Sequence, residues 1–286
     1  MAEEHDPTEQ TSHDKPRSST FVVGLGASAG GIKALKNFFA HVESGDNIAY
    51  AVILHLSPDH DSRLAEVLQT AAPLPVSQVN SDAPIVPGHV YVIPPNKSLT
   101  IDDGKFVVAD ITRREQRQSP VDVFFRALAD NHGSRSASVI LSGTGHNGSA
   151  GLKRIKEYGG LVIAQDPKQA EYADMPRNAI ATGLVDLVLP VAEMPSRISA
   201  YFDRVRSDDG ESPGPVAVEP DAMREVLTLL RIRTGQDFSN YKASTLRRRV
   251  DRRMHVRSVP TLSDYAGLVS RSPTKRSRSC GNSSSA

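Results

Sequence analysis

The chain has 286 residues, 38% of them hydrophobic, a single cysteine and a formal net charge of +1, which suffices for one substantial domain and a smaller partner with buried cores. Its longest apolar runs, residues 48–56 and 184–191, are strand-length and far short of the roughly 20 residues a membrane span needs. Cys280 alone forms neither an internal disulfide nor a cysteine-based metal cluster, so a cytoplasmic protein without membrane insertion is expected.

Residues 1–19 are polar, mixed in charge and without the apolar centre of a secretory signal, and read as a disordered tail. From Thr20 onward short β-branched runs alternate with helical patterns. Phe21–Gly24, Ala49–Leu54, Pro75–Val79, Ser138–Leu141, Leu161–Ala164 and Val185–Leu189 read as strands, and stretches near 31–41, 61–71, 120–131, 148–157 and 191–205 as helices. Strands that are continuously apolar need cover on both faces, so residues 20–206 are expected to form an α/β domain with a doubly wound, mostly parallel sheet. Between Gly88 and Asp110 the rhythm changes. His89–Ile93, Ser98–Ile101 and Lys105–Val108 suggest a small antiparallel insertion turning at Asp103-Gly104.

Residues 207–220, rich in Gly, Pro, Ser and acids, read as a linker. Residues 221–286 hold fourteen Lys/Arg against five Asp/Glu, a balance of +9, which leaves −8 for the first 220 and sets the two parts apart. A helix from Asp221 to Arg233, a second from about 244 to 256 and a third over 262–269 would make residues 221–269 a small all-α module. Residues 270–286 have almost no apolar content and are expected to be disordered.

Three segments carry chemistry. Phe21–Gly31 runs from a strand into a helix through Gly26-Ala-Ser28-Ala-Gly30, a G-x-S-x-G turn whose small residues allow a sharp bend and lift the serine hydroxyl clear of the sheet. The next strand ends on His55, an imidazole at the edge where α/β sites assemble. The third segment, Leu141-Ser-Gly-Thr-Gly-His-Asn147-Gly, is again a strand feeding a glycine-rich loop. Serine, histidine and a polar loop make a hydrolase set if their strands are neighbours. Gly24-x-Gly26-x-x-Ala29, with Glu43 or Asp46 for a ribose, keeps a nucleotide-binding protein open as an alternative. His55, Asp59, His60 and Asp61 cluster, but Pro58 breaks the helix that would align them, so no metal and no cofactor is expected.

These pieces resemble the CheB methylesterase family: GLGASAGG at 24–31, VILHL at 52–56, YVIPPN at 91–96, LSGTGHNGSAGL at 141–152, and AQDP and MPRNAIATGLVD within 164–189. The resemblance implies a protein-glutamate methylesterase acting on methylated chemoreceptor cytoplasmic segments, with Ser28 as nucleophile, His55 as general base and an oxyanion hole at Ala29 and Thr144. The family's third member is an aspartate, and here Asn147 occupies that place. An amide cannot stabilise imidazolium as a carboxylate does, so an impaired esterase, or a pseudoenzyme that binds receptor segments as a scaffold, is expected. Asp166 is a candidate substitute acid. The nineteen-residue tail is too short for the receiver domain that commonly gates the family.

Residues 221–269 resemble the helical N-terminal domain of CheR methyltransferases through RTGQDFSNYK at 233–242 and STLRRRVDRRM at 244–254. Their basic helices lack the interleaved aromatics of nucleic-acid readers, so an acidic protein surface, not nucleic acid, is the expected partner. The Arg/Ser stretch at the end suggests a truncated or frame-shifted fusion.

Overall fold

A computed structural model of the chain describes residues 20–45, 47–54, 63–111, 119–210, 220–234 and most of 246–271. The expected tails, most of the linker, His55 with its acidic neighbours, Asp46, and much of the helix expected near 244–256 lie outside the described residues. The chain divides into two compact units, at Pro195/Ser196.

The first unit is built on seven strands in the order β10-β9-β8-β1-β2-β5-β3: β1 Phe21–Ala27, β2 Ile48–Leu54, β3 Val76–Gln78, β5 His89–Val92, β8 Ser136–Ile140, β9 Leu161–Gln165 and β10 Leu187–Leu189. Every pairing among them is parallel. β1, β2, β8 and β9 are buried along their whole lengths, as continuous apolar strands require. Helices α1 (Gly31–Phe39), α2 (Leu64–Gln69), α3 (Pro120–His132), α4 (Leu152–Glu157) and α5 (Asp174–Ala181) connect them, and α6 (Met194–Gly210) starts at the unit boundary and belongs almost wholly to the second unit. The doubly wound α/β fold expected from the sequence is present.

The two faces are filled differently. Val22, Ala49, Ala51 and Ile53 share a core with Val121, Phe124, Phe125 and Leu128 of α3. The central strand meets that helix at Gly24 and Gly26. A Cβ on Gly24 would lie 2.9 Å from the Phe124 ring, and one on Gly26 would overlap Val121. These glycines let helix and sheet approach closely. On the other face Phe38 and Phe39 of α1 meet Tyr50 edge-on, with ring centroids 6.0 and 5.7 Å apart, the arrangement aromatic quadrupoles favour.

The insertion differs from expectation in one strand. β6 (Lys97–Asp102) and β7 (Lys105–Asp110) form the hairpin, but their antiparallel partner is β4 (Ala83–Pro84), not His89–Val92. That segment joins the parallel sheet between β2 and β3. Its short apolar run fits either sheet, and only tertiary pairing decides. The turn is as read: Asp103 (φ 46°) and Gly104 (φ 72°) both take positive φ, the requirement of a two-residue type I′ hairpin.

The second unit holds most of α6, α7 (Pro220–Thr234), α8 (Leu262–Arg271) and helical residues between 246 and 254. Val226, Val250, Met254, Tyr265, Ala266 and Val269 form a core cluster among its later helices. Arg247 pairs with Asp251 at 2.9 Å one turn away. Among the described residues no helix is long and apolar enough to cross a membrane.

Candidate active site

Strand order places the candidate residues. From β1 the chain progresses to β2 and β5 on one side, whereas β8, β9 and β10 lie on the other. The direction of winding therefore reverses at β1/β8, and a crevice opens outside the carboxyl ends of strands at such a switch point. Ser28 follows directly on β1. The loop bearing Thr144 and Asn147 follows β8. Ala27, just before Ser28, pairs with Leu54, the last residue of β2. The three strand ends named from sequence are thus neighbours; His55 itself lies outside the described residues.

Ser28 is half-buried. Its N–H donates to the Ser142 carbonyl at 3.0 Å, and its own carbonyl accepts the Gly31 N–H at 2.9 Å, closing a tight turn into α1. Gly30 makes that turn at φ 69°, a conformation costly for residues with a Cβ. The β1–β8 ladder thus continues beyond the strands and fixes the serine backbone against the loop. Gly143 is the contact point, since a Cβ there would lie 2.9 Å from Ser28 Cβ and overlap Met175 Sδ.

Ser142 ties three loops together. Its hydroxyl lies 3.0 Å from the Ala29 carbonyl and 3.3 Å from that of Tyr172, and accepts the Tyr172 N–H at 3.0 Å. Its N–H donates to Gln165 Oε1 at 2.8 Å, and Gln165 Nε2 donates to the Gln169 carbonyl. Gly143 donates to the Tyr172 carbonyl and receives the Met175 N–H. Asn178 holds the Gly145 carbonyl at 2.7 Å. Sequence reading missed Ser142, Gln165 and Tyr172. The available signal was Gln165, a polar residue closing the apolar strand LVIAQ, where a buried amide must find partners.

Among the described residues the backbone N–H groups of Ala29 and Thr144 donate to no protein acceptor. Both stand at the β1/β8 crevice, as an anion-accepting pair would. Asn147 Oδ1 is buried without a hydrogen-bond partner among the described residues, an acceptor left without a donor beside this crevice. Asp166 follows β9, separated from β1 by β8, and its carboxylate accepts the Lys168 N–H at 3.0 Å. It is engaged in its own turn.

A doubly wound α/β sheet with a serine on the strand–turn–helix at its switch point is the ground plan of a nucleophile-bearing hydrolase. A family model described as CheB methylesterase matches residues 23–198, and the chain belongs to that family. A second model, CheR methyltransferase all-alpha domain, matches residues 221–278. A protein-glutamate methylesterase/protein-glutamine glutaminase of Geobacter metallireducens is 32% identical over 65% of this chain and 52% of its own length. A putative one of Leptospira interrogans is 34% identical over 66% and 96%. The match to an uncharacterised 104.1 kDa protein of Rhodobacter capsulatus is 32% identical over 74% of this chain, yet spans only 24% of that protein. The crystal structure of the Thermotoga maritima CheB methylesterase catalytic domain superposes with a TM-score of 0.59 at 28% identity, over 64% of this chain and 98% of that one.

Proposed function

We propose that the first unit is a protein-glutamate methylesterase of the cytoplasm whose substrates are γ-methyl-esterified glutamates on chemoreceptor segments. The observation that carries this reading is the placement of Ser28 at the switch point, its backbone fastened to Ser142, beside two unengaged N–H groups.

In the proposed reaction Ser28 Oγ attacks the ester carbonyl carbon while its proton passes to His55. The tetrahedral oxyanion is held by the N–H groups of Ala29 and Thr144. Collapse breaks the bond to methoxide, which takes the proton from His55 and leaves as methanol. Water then attacks the acyl-enzyme by the same roles and releases the free glutamate. Asn147 is the weak member. Its amide can fix the wrong imidazole tautomer and offers no charge to the imidazolium; in serine proteases the equivalent aspartate-to-asparagine change lowers turnover by about 10⁴.

The test is methanol release from methylated receptor fragments, measured beside Ser28→Ala and Asn147→Asp. Release that vanishes in Ser28→Ala supports the esterase. Release absent from the parent and present in Asn147→Asp supports the second reading, which the asparagine itself favours: a receptor-binding scaffold with a dormant catalytic set. The basic second unit is proposed to dock on an acidic protein surface.

A further inference from the structure

We infer that Tyr172 is the residue that selects the sequence around the esterified glutamate, by seating an apolar substrate side chain next to the ester. The inference rests on the esterase reading and adds a recognition element to it.

Tyr172 stands in the loop between β9 and α5 with 44% of its surface exposed. Its ring makes no aromatic or cation contact, and its hydroxyl no hydrogen bond, among the described residues. Its backbone is the opposite of loose. The N–H donates to Ser142 Oγ at 3.0 Å, the carbonyl accepts the Gly143 N–H at 2.9 Å, and the Ser142 hydroxyl lies 3.3 Å from the same carbonyl. Both partners belong to the loop that also receives the Ser28 N–H.

The ring's position follows from Gly30, two residues beyond the nucleophile. A Cβ on Gly30 would lie 3.1 Å from Tyr172 Cδ2 and 2.9 Å from Glu171 Cβ. The ring therefore stands against the turn that presents Ser28. Ile32, in the first turn of α1, is also 41% exposed, so the nucleophile turn carries an apolar residue on its helix and an aromatic one across it. A rigid, exposed ring loses little freedom on contact and is the kind of group that anchors a peptide. The ester is uncharged and common to every substrate, so discrimination between sites must come from neighbouring side chains, and an apolar one is what this shoulder would desolvate.

The test uses the full chain carrying Ser28→Ala, so that nothing turns over, and two synthetic peptides with one glutamate γ-methyl ester. One has leucine close to the ester and the other glycine in its place. Tyr172→Ala is expected to weaken binding of the leucine peptide by about tenfold, the scale of an interface anchor, leave the glycine peptide unchanged, and be rescued by Tyr172→Phe. Equal affinity of the parent and Tyr172→Ala for the leucine peptide would overturn the inference. So would equal weakening towards both peptides, which is what a merely structural tyrosine would give. A parent chain that binds neither peptide would overturn the esterase reading and this one with it.

Discussion

In the proposed mechanism Asn147 sets how much activity the site retains. Its buried amide oxygen has no donor among the described residues, and a carboxylate there would supply the charge an imidazolium needs. Asn147→Asp is expected to raise methanol release by up to about 10⁴-fold, read as kcat with KM little changed. Asn147 is followed by Gly148, so slow conversion of the amide to the acid during storage would raise activity in step; peptide mapping of fresh and aged protein measures both quantities on one sample. A second residue gives stability a pH dependence. His132 is buried, donates Nδ1–H to the Thr20 carbonyl at 3.0 Å and has no partner for Nε2 among the described residues. Burial lowers its pKa below the usual 6.5, against the pull of the Thr20 carbonyl and with a further push from Arg135. Between the two values the unfolded chain binds the extra proton. The stabilisation is therefore full above about pH 6.5 and is lost as pH falls below it; thermal melts from pH 8 to 5 should show this slope, and His132→Gln should flatten it.

At the scale of elements, the join between β1 and β8 does most to build the site. Gly143→Ala would drive a Cβ into Met175 Sδ and to 2.9 Å from Ser28 Cβ. Esterase activity should fall sharply, with a loss of about 1–3 kcal/mol in unfolding free energy, measurable by urea titration. Gln165→Leu leaves the Ser142 N–H and the Gln169 carbonyl without their partners and should cost a comparable amount, about 1–3 kcal/mol. The sequence made much of this legible. Strands buried on both faces announce themselves as unbroken apolar runs, and the G-x-S-x-G turn needs only local residues. What stayed hidden depends on pairing between distant segments. β5 was read into the wrong sheet because four residues, HVYV, fit either one. The helix over Asp174–Ala181 was not assigned, for Pro176 lies inside its span and proline reads first as a breaker. The Ser142 hub escaped because no local pattern shows that a loop serine will meet Ala29 on one side and Tyr172 on the other.

On the scale of the whole molecule the two units have unequal means of staying folded. The first has a sheet covered on both faces by helices, whereas in the second the described helical segments after residue 220 share a core cluster of six buried residues. Domains of such size bury a smaller share of their surface and are marginal. Calorimetry should resolve two transitions, the lower one disappearing from a fragment ending at residue 210, with far-UV circular dichroism of that fragment retaining the α/β signature. A single transition in the full chain would mean that the units unfold together. The contact between Ser142 and Ala29 spans 113 residues of chain, and this separation sets a timetable for synthesis. A ribosome that has made β1 and β2 has already added the serine and the histidine, yet the loop that braces the serine does not exist until the chain has grown past residue 142, well beyond the middle of the first unit. Long-range closures of this kind are slow steps in folding. A half-made chain therefore carries the proposed nucleophile without its surroundings, and the competence proposed for the site would arrive late, when β8 docks beside β1.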